Sequence, residues 1–342
     1  MRISAAVRQI RVCSALGRTS ATLVAFLVAF AAVPAQAQSP LESVVAIRAT
    51  IPADARTADS LGTEREGSGV VIGPDGLVLT IGYLILEAIS TEITLQDQRV
   101  VPAEVVAYDY ETGFGLLRPL ADTGLPAIEL GESAGLQQDN PVLVASFAAA
   151  DTETPAATAA HVVSRREFAG YWEYLLPDAI FTAPPHLSFG GAALIGQDGR
   201  LLGIGSLFVS DAASTGVRMA GNMFVPIDAL KPILDDLRAH GQSRSPRRPW
   251  LGLYTGEVRG HLFVHRVAPG GPAAAAGLRA NDVILEVDGG PVAGMADFYK
   301  RVWALGGPGV EVPITVLSGG RVQDMAITAG DRYDYLKLDP SF

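Results

Sequence analysis

Serine-dependent acyl transfer needs a hydroxyl nucleophile, an imidazole to take its proton and a carboxylate to orient the imidazole. The chain of 342 residues carries five histidines, His161, His186, His240, His261 and His265, and a single cysteine, Cys13. Ser188 follows His186 by two positions, and a remodelled loop could fold the two into a hydroxyl–imidazole dyad. Neighbouring positions on one short loop rarely align such groups, so the dyad is retained only as an alternative. Asp109 is the carboxylate that could approach the same region, and its setting reads as a solvated turn. No spacing of metal ligands, no phosphate-cradling loop and no base-stacking pattern is present, so neither metal nor cofactor is expected.

The elements that must position these groups are mostly strands. Short apolar runs at 43–47, 69–72, 78–80, 93–95, 103–107 and 115–117 precede a second set at 142–147, 161–163, 174–176, 193–195, 202–205 and 223–225. Pro74-Asp75-Gly76 and Gln197-Asp198-Gly199 read as hairpin turns, with glycine supplying the positive φ. Strands at this spacing point to an all-β barrel or sandwich. One helix should follow: Asp228 can cap it, Leu230, Ile233, Leu234 and Leu237 share a face, and Gly241 ends it. The polar, basic stretch 242–248 reads as a solvated linker to a compact unit at 249–331, and 332–342 as a tail.

The start of the chain reads as an address. Arg2, Arg8, Arg11 and Arg18 precede an apolar run at about 21–33, followed by Ala35-Gln36-Ala37. A run this short falls well below the ~20 residues that span a bilayer. Residues 1–37 are therefore expected to be a cleaved secretory signal, and the protein periplasmic rather than anchored. Cleavage would remove four arginines, no acid and Cys13, taking the formal charge from −10 to −14. Such an acidic surface argues against nucleic acid as a partner.

Two stretches carry a resemblance. Ala268-Pro269-Gly270-Gly271-Pro272-Ala273 through Gly277-Leu278 and Asn281-Asp282-Val283-Ile284 is similar to PDZ domains of the bacterial protease-associated type. Gly67-Ser68-Gly69-Val70-Val71-Ile72 and Asp75-Gly76-Leu77-Val78-Leu79-Thr80, with Val225-Pro226-Ile227 later, resemble the HtrA-type serine protease domain. The resemblance implies a trypsin-like double β-barrel at 38–241 followed by one PDZ domain at 249–331.

It also implies where a triad would stand. The base position after Leu79-Thr80 holds Tyr83, the carboxylate position in Glu111-Thr112-Gly113-Phe114-Gly115 holds Gly113, and the nucleophile position in Ser188-Phe189-Gly190-Gly191 holds Gly190. The base must come from the first barrel, and the first 160 residues contain no histidine. Phe189 is expected to plug the oxyanion pocket. Tyrosine, with a pKa near ~10, is a poor base at neutral pH. In a PDZ domain a loop of backbone N–H groups captures a terminal carboxylate while the peptide joins a sheet edge. By resemblance that loop is Trp250-Leu251-Gly252-Leu253, with Phe298 and Val302 on the helix opposite.

The expected protein is thus a catalytically inactive HtrA-like adaptor that holds polypeptide C-termini or unfolded proteins. An alternative is an active serine endopeptidase using Ser188 and His186. Active HtrA-type proteases are a further candidate partner through mixed oligomers. HtrA-type chains trimerise through aromatics near the mature N-terminus, and residues 38–82 contain none, so the resemblance does not carry the trimer over.

Overall fold

The computed structural model describes residues 39–148, 154–213 and 218–338. The expected export segment 1–37, with Cys13, and the last four residues of the expected tail lie outside the described residues.

Alternating burial closes the first half into a barrel. Strand β1 (Val44–Thr50), the helical turn α1 (Ala58–Leu61), β2 (Glu64–Val71), β3 (Val78–Ile81), β4 (Ser90–Thr94), β5 (Val100–Tyr108) and β6 (Phe114–Pro119) follow in sequence. The six strands pair in the closed order β1-β2-β3-β6-β5-β4. In β4, Ser90 and Glu92 face water while Thr91 and Ile93 are buried, the period-two pattern of a barrel wall.

The second barrel uses β7 (Pro141–Ser146), β8 (Ala156–Gly170), β9 (Tyr174–Ala183), β10 (Ala193–Ile195), β11 (Leu201–Val209) and β12 (Gly221–Pro226). It closes as β10-β11-β12-β9-β8-β7. The two barrels share one apolar core, in which Phe114, Phe147, Phe181 and Met223 are all buried. The long β8–β9 hairpin projects beyond the barrel and turns at Tyr171-Trp172-Glu173, where Glu173 takes a left-handed φ of 57°.

The expected helix is real but starts later. Residues 227–229 form a 3-10 turn, and the α-helix is α2 (Leu234–His240), ended by Gly241 at φ 72°. Asp228 does not cap it. Its carboxylate instead accepts from the Ala134 amide at 2.7 Å and the Ser133 hydroxyl at 3.0 Å, pinning an inter-strand loop.

The C-terminal unit contains β13 (Leu253–Val258), β14 (His261–Val267), the turn α3 (Pro272–Ala275), β15 (Val283–Val287), β16 (Gly290–Pro291), α4 (Met295–Ala304), β17 (Glu311–Ser318) and β18 (Arg321–Thr328). Its sheet runs β13-β14-β15-β17-β18, with β16 on β15. Leu251, Val264, Ile284, Phe298 and Val316 form a separate core. The all-β barrels followed by a smaller sheet-and-helix domain are the architecture expected from the sequence.

Two connections are better anchored than their composition suggested. The linker is not free in solvent: Arg247 pairs with Asp331, and Arg248 reaches Glu111 at 3.1 Å and stacks over Trp303. Residues 332–338 are not a loose tail. They form α5 (Arg332–Tyr335) and a strap on the first barrel, with Tyr333 Oη donating to the Tyr108 carbonyl at 3.0 Å and the Lys337 amide to Glu87 at 2.8 Å.

Candidate functional site

Three positions far apart in sequence converge between the barrels. The Gly82 amide donates to the Gly113 carbonyl at 2.7 Å, placing the β3 end beside the turn before β6. A Cβ built on Gly190 would lie 3.0 Å from Tyr83 Oη, so the tyrosine hydroxyl occupies the space into which a side chain at 190 would project. That hydroxyl donates to the Ser206 carbonyl at 2.9 Å. Arg65 holds the turn from below, its Nη1 donating to the Tyr83 carbonyl at 2.8 Å and the Leu86 carbonyl at 3.0 Å. Burial pushes the Tyr83 phenol well above its ordinary range, away from service as a base.

Gly113 sits at φ 85°, a conformation an aspartate adopts only with strain. The nearby carboxylate is bound elsewhere. Asp109, expected as a solvated turn residue, is buried and accepts from the Thr112 amide at 2.9 Å and the Thr112 hydroxyl at 2.6 Å.

The Ser188–His186 dyad does not assemble. Both imidazole nitrogens of His186 are engaged, Nε2 with Ser146 Oγ at 2.7 Å and Nδ1 with Thr158 Oγ1 at 2.8 Å. Asn222 holds the His186 backbone through both its amide and its carbonyl. Burial lowers the pKa of this imidazole, so it stays neutral, one nitrogen donating and the other accepting. Ser188 is exposed, in a cleft of about 540 Å³ shared with Phe147, Leu187 and Phe189. Phe189 also lines an aromatic cavity of about 330 Å³ with Tyr83, Tyr108, Trp172 and Tyr174.

The Trp250-Leu251-Gly252-Leu253 segment forms a tight loop. Gly252 has φ 77°, and a Cβ there would crowd Ala268 and the Trp250 ring, so both conformation and space call for glycine. Trp250, Leu251 and Leu253 are buried, as are Phe298 and Val302, which lie inside the domain's core instead of lining open space.

The loop's donors already hold a carboxylate. Glu173 Oε2 accepts from the Leu251 amide at 2.9 Å and Oε1 from the Leu253 amide at 2.7 Å. The Thr255 amide donates to the Tyr171 carbonyl at 2.8 Å, extending the contact along β13. Tyr299 Oη bridges the hairpin, accepting from the Glu173 amide at 3.2 Å and donating to the Gly170 carbonyl at 2.8 Å. Leu175 packs into the same core as Leu251, Leu253 and Phe298. The sequence offered little warning of this. A lone glutamate among Tyr171, Trp172 and Tyr174 at a hairpin tip was the available signal, and its partners lie in another domain.

Burial raises the Glu173 carboxyl to about 7, against the smaller opposing pull of the loop amides and Arg332. The docked hairpin therefore holds this proton more tightly than a free glutamate does. Docking is strongest below the ordinary value of 4.5 and weakens as pH rises to about 7 and beyond. Thermal melting of the native chain beside Glu173→Gln, which has nothing to titrate, checks this. The native chain should lose stability relative to the variant between about pH 5 and pH 8.

Comparison with known proteins agrees with this geometry. Residues 67–204 match the family described as trypsin-like peptidase domain, and residues 249–328 match the PDZ domain family. A "Probable periplasmic serine endoprotease DegP-like" of Halomonas elongata is 28% identical over 284 residues, covering 79% of this chain and 57% of that protein. A "Putative protease Do-like 14" of Arabidopsis thaliana is 27% identical over 262 residues, covering 68% of this chain and 58% of that protein. The chain thus spans under three fifths of the length of these two curated relatives. Among solved structures, "HtrA-type protease AlgWS227A with tripeptide" superposes with a TM-score of 0.53 at 24% identity, covering 85% of this chain and 94% of that one. A serine endoprotease from Yersinia pestis gives 0.51 at 23%, with the same coverage. At these identities the structural likeness speaks for the fold.

Proposed function

We propose that this HtrA-type chain, a trypsin-like peptidase domain followed by one PDZ domain, is catalytically silent and holds polypeptides in the periplasm by their C-termini. The observation that carries the reading is the carboxylate on the Leu251 and Leu253 amides: the loop's donors are already arranged for the group that ends every polypeptide. Silence of the barrels is supported by Tyr83, whose hydroxyl stands against Gly190 and is spent on the Ser206 carbonyl. Capture of a chain end by backbone amides requires no proton transfer, so loss of a triad leaves it intact.

Isothermal titration tests the reading. A peptide with an apolar last residue and a free carboxylate should bind the native protein at least about tenfold more tightly than its C-terminal amide, since the amide removes the charged acceptor. Equal affinities for acid and amide would refute capture by the loop.

A further inference from the structure

We infer that Glu173 is an internal ligand of the carboxylate loop, and that a polypeptide terminus enters only by displacing the β8–β9 hairpin tip. This rests on the proposed reading of the loop and adds its regulation.

Three separate contacts place the hairpin where a captured peptide would lie. The Glu173 carboxylate bridges the Leu251 and Leu253 amides, as a terminal carboxylate would. The Tyr171 carbonyl pairs with the Thr255 amide on β13, the edge strand that an added peptide strand would extend. Leu175 lies in the apolar cluster of Leu251, Leu253, Phe298 and Val302, where a ligand side chain would be buried. The hairpin is also held from its flanks, by Lys300 to Glu167 at 2.7 Å and by Arg332 to the Trp172 carbonyl at 3.1 Å.

Occupation from within has a thermodynamic consequence. An external terminus binds only the fraction of molecules in which the tip has left, so its apparent affinity falls by that fraction. A single-residue carboxylate mimic tethered by the fold competes at a high effective concentration. The external ligand this site takes is a free polypeptide end with an apolar last residue, which can replace both the Glu173 carboxylate and the Leu175 side chain. A terminus lacking the apolar residue replaces only the first.

The test compares acid and amide peptides on the native chain and on Glu173→Ala. Removing the internal carboxylate should tighten acid and amide peptides alike, by at least about tenfold, because both bind only the open fraction, and the preference for acid over amide should remain. A measurement on the native protein needs no substitution: saturating acid peptide should speed hydrogen exchange of the Glu173 amide, which the docked tip protects through Tyr299. Unchanged acid affinity in Glu173→Ala, or unchanged exchange with peptide bound, overturns the internal ligand while leaving the loop as a binding site. Acid and amide binding alike in both proteins overturns the internal ligand together with the reading beneath it.

Discussion

An unfolded protein incubated with the purified chain is expected to remain uncut, and a fluorophosphonate probe to leave the chain unlabelled. Loss of the nucleophile or base from an intact serine protease costs about 10⁶ in rate, near 8 kcal/mol of transition-state stabilisation. Here all three positions implied by the resemblance lack the needed group, holding Tyr83, Gly113 and Gly190. What binding and oxyanion contacts alone supply is about 10³–10⁴ over water. Restoring the hydroxyl does not help: in Gly190→Ser the new side chain meets Tyr83 Oη, and the phenol's raised pKa leaves nothing to take the proton. Gly190→Ser should therefore be as unreactive as the native chain. Labelling of the native chain that Ser188→Ala abolishes would overturn the silent-barrel reading, and would require His186 to leave both Ser146 and Thr158.

Gly191→Ala is expected to be among the most damaging substitutions in the protein. Gly191 has φ 74°, and an added Cβ would run into the Ser68 carbonyl oxygen of β2. The neighbouring backbone is fixed on both sides, with the Gly190 carbonyl accepting from the Ser68 amide at 2.9 Å and the Gly191 amide donating to Gly205 at 2.9 Å. The obstacle is main chain shared by both barrels, so no side chain can swing away to relieve it. Destabilisation of more than about 4 kcal/mol is expected, in the range reserved for such steric conflicts. Gly199→Ala is the control, since Gly199 shares the left-handed conformation at φ 78° and has nothing within 4 Å of an added Cβ. It should cost only the conformational term, about 1–2 kcal/mol. Urea midpoints for the two variants separate the cases, and equal shifts would remove the role given to the Ser68 carbonyl.

The barrels could be read from the chain because their information is local. Alternation such as that of β4 and turns such as Asp198-Gly199 each depend on a few consecutive residues. The C-terminal domain announced itself through one long motif around Pro272 and Gly277. What escaped reading depends on distant partners. The periodicity of Leu230, Ile233, Leu234 and Leu237 is compatible with one helix from Asp228, yet Asp228 is drawn to Ser133 and Ala134, and the chain takes a 3-10 turn first. Arg247, Arg248 and Lys337 look like solvated charge in a linker and a tail until Asp331, Glu111 and Asp54 are brought opposite them. His186 illustrates the same limit at the candidate site. Its nearest serine in sequence is Ser188, but the barrel wall presents Ser146 and Thr158 instead.

The strap that follows β18 bears on how the C-terminal domain can travel. That domain is fastened at its entrance, where Arg248 grips Glu111, and again past its exit, where Tyr333 and Lys337 grip the first barrel. A body tied at one point wanders in every direction, whereas one tied at two swings about the line between them. While both grips hold, any withdrawal of the domain from the hairpin is confined to rotation about the line between them.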